Sequence, residues 1–63
     1  MPPELAAYLT LRAAATRRCE ETTRQALRHV AERFDDKVAE RIAKRAYRTL
    51  EPACRGWFNR LAT

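Results

Sequence analysis

The chain has 63 residues, 46% hydrophobic and 33% charged, with 13 lysines and arginines against 8 acids and a net charge of +5. A chain this short is one domain (1–63) that buries only ~60% of the surface its unfolded form exposes, which leaves little room for a catalytic pocket and favours self-association. No apolar run approaches the ~20 residues that cross a bilayer, and the opening "MPPELAAYLTLRAAA" lacks the positive lead of a secretory signal.

The expected location is therefore the cytoplasm, or the inside of a host cell. The basic balance points to acidic partners: nucleic acid, an acidic protein patch or an anionic membrane surface.

All strong helix breakers lie near the ends: Pro2, Pro3, Pro52 and Gly56. Between residues 4 and 51 nearly every residue is a competent helix former, and nothing alternates with the period of a strand. The fold class expected is all-α. Pro2, Pro3 and Glu4 read as a helix start, since proline suits the first turn and an acid complements the helix dipole.

One long helix is expected over 4–34. Its weak stretch is the polar "TRRCEETTRQ" (16–25), where Thr22 and Gln25 fit a capping box. A tight turn follows at 34–36, with Asp35 or Asp36 as N-cap of a second helix over 37–50. Pro52 then kinks that helix or starts a short last one over 52–62.

Folding at the turn gives an antiparallel hairpin. Phe34 is set opposite Val38, Val30 opposite Ile42, Leu27 opposite Ala46, Thr23 opposite Leu50 and Thr16 opposite Trp57. The same register sets Cys19 against Cys54, and Arg12, an oddity on the apolar face, against Leu61. A lone hairpin leaves its seam half open, so a homodimer forming a four-helix bundle is expected. In size and layout this is similar to the small plasmid-encoded RNA-binding hairpin dimers that control copy number, a likeness of architecture carried by no shared motif.

The second helix holds "KVAERIAKRAYR" (37–48). At about 100° per residue, Val38, Ile42, Ala46 and Leu50 share one side. Lys37, Arg41, Lys44, Arg45, Arg48 and, beyond the proline, Arg55 share the other, with Glu40 and Glu51 only at its border. The first helix instead interleaves its signs, as in the i,i+4 pair Glu20–Arg24. A segregated basic face reads as a phosphate-contacting surface, against the plainer reading of a solvated helix side. Sequence-specific readout is not indicated, because Asp36 or Lys37 falls where a helix-turn-helix needs an apolar residue.

Tyr47 and Phe58, near Arg48 and Arg55, are a candidate aromatic–arginine patch for a protein partner or for unpaired bases, or else they close the bundle. Cys19 and Cys54 read as a disulfide or a pair of reduced core thiols; two cysteines lack a zinc site's ligand set. His29, the lone histidine, has no partner to make a nucleophilic site, and Glu20 and Glu21 point apart. No catalytic residue, metal or cofactor is expected. The function expected is a small non-enzymatic regulatory module binding nucleic acid through this basic helix face, with structured RNA as the candidate target. The alternative is an inhibitor or adaptor of phage or mobile-element type that docks on a larger acidic protein.

Overall fold

A computed structural model describes residues 1–63. It is all-α, with four helices packed together: α1 (Pro3–Thr16), α2 (Glu20–Arg33), α3 (Asp36–Thr49) and α4 (Pro52–Ala62). The long helix expected over 4–34 is therefore two. Arg18 sits in the left-handed region at φ 54°, its N–H donating to the Ala15 carbonyl at 2.9 Å while the Cys19 N–H donates to that of Ala14 at 3.2 Å. Those two bonds are the Schellman arrangement that ends a helix. A left-handed arginine costs of order 1–2 kcal/mol. The reversal it permits buries Tyr8 and Leu11 of α1, each worth about 1.5–3 kcal/mol, so tertiary packing overrides local preference. Cys19, rather than Thr22, takes the N-cap position of α2.

The second junction follows the expectation more closely. Phe34 and Asp35 are extended, and the Asp35 carboxylate accepts from the Val38 N–H at 2.9 Å, capping α3. Glu51 is extended ahead of Pro52, as the residue before a proline prefers. Pro52 thus starts a separate helix.

Contacts along α1 fix its direction. Glu4 meets Arg41, Tyr8 meets Arg45 and Thr49, and Ala15 meets Cys54. The numbers climb together, so α1 lies parallel to α3. It packs extensively against both α2 and α3, whereas α2 and α3 touch each other less. The two-helix seam is thus a three-way core closed from within one chain by α1, with α4 across one end. The half-open face that called for a second copy is covered.

The core joins Tyr8, Leu11 and Ala15 to Ala26, Val30, Ile42, Ala46, Leu50, Cys54 and Phe58. Phe58 is 2% exposed while Trp57 is only half-buried. The expected register put Trp57 in the seam, but the extended Leu50 and Glu51 reset the helical phase, and Cys54 and Phe58 turn inward instead. Leu27 is likewise half-buried, with Ala26 inside. Leu61 lies beside Arg24, Leu27 and Arg28 of α2, not opposite Arg12.

A basic groove on the third helix

The amphipathic pattern of α3 turns Ile42 and Ala46 into the core and leaves its charged side outward. Lys37, Arg41, Lys44, Arg45 and Arg48 line one shallow open groove of about 420 Å³, with Glu40 as the only acid and no apolar side chain in its lining. Five of the six cations singled out in the sequence thus come together.

They are not equally free. Arg41 is gripped by Glu4 of α1, its Nε and one terminal nitrogen each donating to a separate carboxylate oxygen at 2.8 Å. This fork holds the Glu4 carboxyl below the usual carboxylate range and raises Arg41 further. Lys44 pairs with Glu40 one turn back at 2.8 Å, lowering Glu40 in the same way. The Arg45 guanidinium stacks 4.2 Å from the centroid of the Tyr8 ring, and the Tyr8 hydroxyl donates to Thr49 at 3.1 Å. Lys37 and Arg48 are exposed and have no side-chain partner within bonding distance.

Arg55 is the member that the structure removes. Its Nε donates to the Leu50 carbonyl at 3.0 Å and a terminal nitrogen to that of Arg48 at 2.9 Å. It is half-buried and closes the free carbonyls at the end of α3, a capping role. Its guanidinium lies 5.8 Å from the Tyr47 ring, which is 39% exposed.

The aromatic patch does not form, because Phe58 is in the core and Tyr47 is the only one of the two aromatics at the surface. The cysteines are not a pair either. Both are free; Cys54 is buried with its thiol donating to the Ala15 carbonyl at 3.2 Å, while Cys19 is exposed where α1 gives way to α2. The reversal at Arg18 swings Cys19 away from the position an unbroken helix would give it. The Thr22 hydroxyl, 3.0 Å away, and the Thr22 N–H hold the Cys19 thiol below its ordinary pKa. His29 is exposed beside an apolar-floored furrow between α1 and α2, lined also by Ala6, Ala7, Ala26, Val30 and Phe34. No three His, Cys, Asp or Glu side chains converge as a metal cage, and no helix is long and apolar enough to cross a membrane.

Two contributors to this face escape sequence reasoning, Glu4 and Tyr8. Each reads as an ordinary first-helix residue until α1 is laid parallel to α3, and nothing in their local spacing signals that. A comparison with family models, curated proteins and solved structures finds no match to this chain.

Proposed function

We propose that this protein is a non-enzymatic, cytoplasmic binding module that grips the phosphate backbone of structured nucleic acid with the outer face of α3. The observation that carries this reading is the groove itself: five cations from one helix, lined by one carboxylate and no apolar group. Arginine forks and lysine ammonium groups suit phosphate oxygens, and contacts of this kind position a backbone without reading bases. No Asn or Gln lies in the groove to read a base edge.

Duplex regions suit the face better than single strands. Single-strand binding relies on exposed rings on which bases stack. Here Phe58 is buried, and Arg45 covers the ring of Tyr8, itself 6% exposed. Tyr47 alone remains, at the margin.

Fluorescence anisotropy of labelled RNA and DNA hairpins, with a single strand as control, tests the reading. Hairpin affinity is expected to fall roughly fortyfold between 50 and 200 mM salt if three phosphates are neutralised, and more if all five cations engage. The RNA-to-DNA ratio names the preferred duplex. No hairpin binding at low salt would overturn the proposal and leave docking on an acidic protein surface, through the same groove, as the reading to pursue by pull-down.

A homodimer belongs to this reading only through the thinness of the core, with 12 of 63 residues buried. Light scattering at micromolar concentration decides it: twice the chain mass is expected, and a mass of 7.3 kDa overturns it.

A further inference from the structure

Arg41 occupies the middle of the groove, one turn from Lys37, one turn from Lys44 and Arg45, and two from Arg48. It would be the natural centre of a phosphate contact. Yet the fork on its Nε side is already filled, and its charge is already paired. Glu4 offers two oxygens at 2.8 Å and 2.8 Å to two nitrogens of one guanidinium, the same planar two-point geometry in which arginine takes a phosphate. A ligand oxygen cannot enter that fork while the carboxylate holds it.

The origin of the pair separates it from that of Glu40, the one acid in the groove lining. Glu40 reaches Lys44 along a single helix by one contact and loosens with ordinary side-chain motion. Glu4 belongs to α1, which is fixed alongside α3 by the Tyr8–Thr49 hydrogen bond and the Arg45–Tyr8 stack just one turn further on. The carboxylate is thus delivered by packed structure. Its side chain is 37% exposed and that of Arg41 61%, so the pair stands open to solvent and to exchange.

We infer that Glu4 is a built-in competitor for the phosphate site at Arg41. It occupies the fork in the free protein, and a polyanion reaches full engagement only by displacing it. This rests on the nucleic-acid reading given above and deepens it. A bound backbone first meets Lys37, Lys44 and Arg48, whose combined attraction raises the local phosphate concentration at Arg41, and an extended ligand then outcompetes the single carboxylate. Glu4 therefore lowers affinity and removes one cation from the effective count.

The test compares wild type, Glu4→Gln and Glu21→Gln, the last removing an exposed carboxylate on α2 with no ion-pair partner. The probe is a labelled RNA hairpin titrated from low to moderate salt, with helicity checked by circular dichroism. Glu4→Gln is expected to tighten binding roughly three- to fivefold, about the effect of freeing one exposed pair, and to steepen the salt dependence by about one further neutralised phosphate, ~0.9 in the logarithmic slope. In an Arg41→Gln background the same change at Glu4 is expected to do no more than Glu21→Gln.

Three outcomes speak against the inference in different ways. Equal gains from Glu4→Gln and Glu21→Gln, with the same slope, would reduce Glu4 to a general contribution to net charge. Weaker binding with a lowered melting temperature would make the pair a brace that the face needs. No hairpin binding by any variant at low salt would remove the nucleic-acid reading itself, and the competitor with it.

Discussion

The outward faces of α2 and α3 are similarly rich in charge but differ in arrangement. α2 carries Glu20, Glu21 and Glu32 with Arg24, Arg28 and Arg33; α3 carries Asp36 and Glu40 with Lys37, Arg41, Lys44, Arg45 and Arg48. Three acids against three bases leave α2 neutral, while two against five leave α3 at +3. On α2 the signs meet, as where Glu20 accepts from Arg24 at 3.3 Å. On α3 one such pair also forms, Glu40 with Lys44 at 2.8 Å, but the surplus of bases collects in one groove. The lesson is that the net charge of +5 says little until the fold distributes it. A field that attracts a polyanion needs segregation more than quantity.

The sharpest way to break this comparison is to reverse equal charge on each face. Arg41, Lys44 and Arg48 changed together to glutamate are expected to lower hairpin affinity about a hundredfold or more at low salt, with helicity intact. The same reversal at Arg24, Arg28 and Arg33 is expected to cost far less, since only the long-range field changes. Equal losses in the two triples, read by anisotropy, would mean that total charge governs binding and that the groove has no special standing.

Phe58 of α4 lies in the core behind both faces, and it sharpens the contrast by energy rather than by affinity. A fully buried aromatic truncated to alanine loses about 3–5 kcal/mol, close to the whole stability of a domain this small. The gentler Phe58→Leu is expected to cost about 1 kcal/mol in chemical denaturation and to leave the affinity of the folded protein unchanged. A loss of affinity without a loss of stability would place the ring at the binding surface after all.

Much of this was readable from residues alone, and the failures have physical causes. The basic stripe at 37–48 is legible because all its members ride one helix, where 100° per residue is enough to place them. The start of α3 is legible because Asp35 caps it with a side chain, and side-chain caps leave a residue type in the sequence. The end of α1 is made by backbone bonds around Arg18, a residue with no preference for that conformation, so nothing announces it. Every mistaken pairing follows from that one missed reversal or from the phase reset at Leu50–Glu51: Cys19 with Cys54, Thr16 with Trp57, Arg12 with Leu61. The Glu4–Arg41 and Tyr8–Arg45 contacts were unreadable for the same reason, since they exist only because the chain turns back.

That reversal also lays α1 against both α2 and α3, so testing it tests the core on which the two faces ride. Glycine adopts φ 54° without strain, and Arg18→Gly is expected to stabilise the protein by roughly 0.5–1 kcal/mol. Gly56 is the converse case, a glycine inside α4 whose added Cβ would meet nothing nearer than Arg60 at 4.0 Å. Gly56→Ala is expected to gain a similar ~0.5–1 kcal/mol. On a 63-residue chain, 1 kcal/mol is about 4–8 °C in melting temperature, so both are measurable by thermal denaturation. A large loss at Arg18→Gly would argue for an unbroken first helix and would remove the Glu4–Arg41 and Tyr8–Arg45 contacts from the α3 face.

The smallest expected effect concerns acid, and it arises on the α3 side. Glu4 and Glu40 both have pKa values lowered by their cationic partners. A carboxyl whose pKa is lower folded than unfolded contributes stability that is fully present above the unfolded value, about 4.3 for glutamate, and lost as pH falls through the folded value. The melting temperature should therefore decline slightly as pH drops below that range, and Glu4→Gln combined with Glu40→Gln should flatten the decline. Replacing Glu21 and Glu32 on α2, neither of which has an ion-pair partner, should leave it in place. An acid limb that survives loss of Glu4 and Glu40 would mean that these contacts hold nothing in solution. The α3 groove would then present Arg41 and Lys44 as free as Lys37 and Arg48, and its contrast with α2 would be larger than the structure draws it.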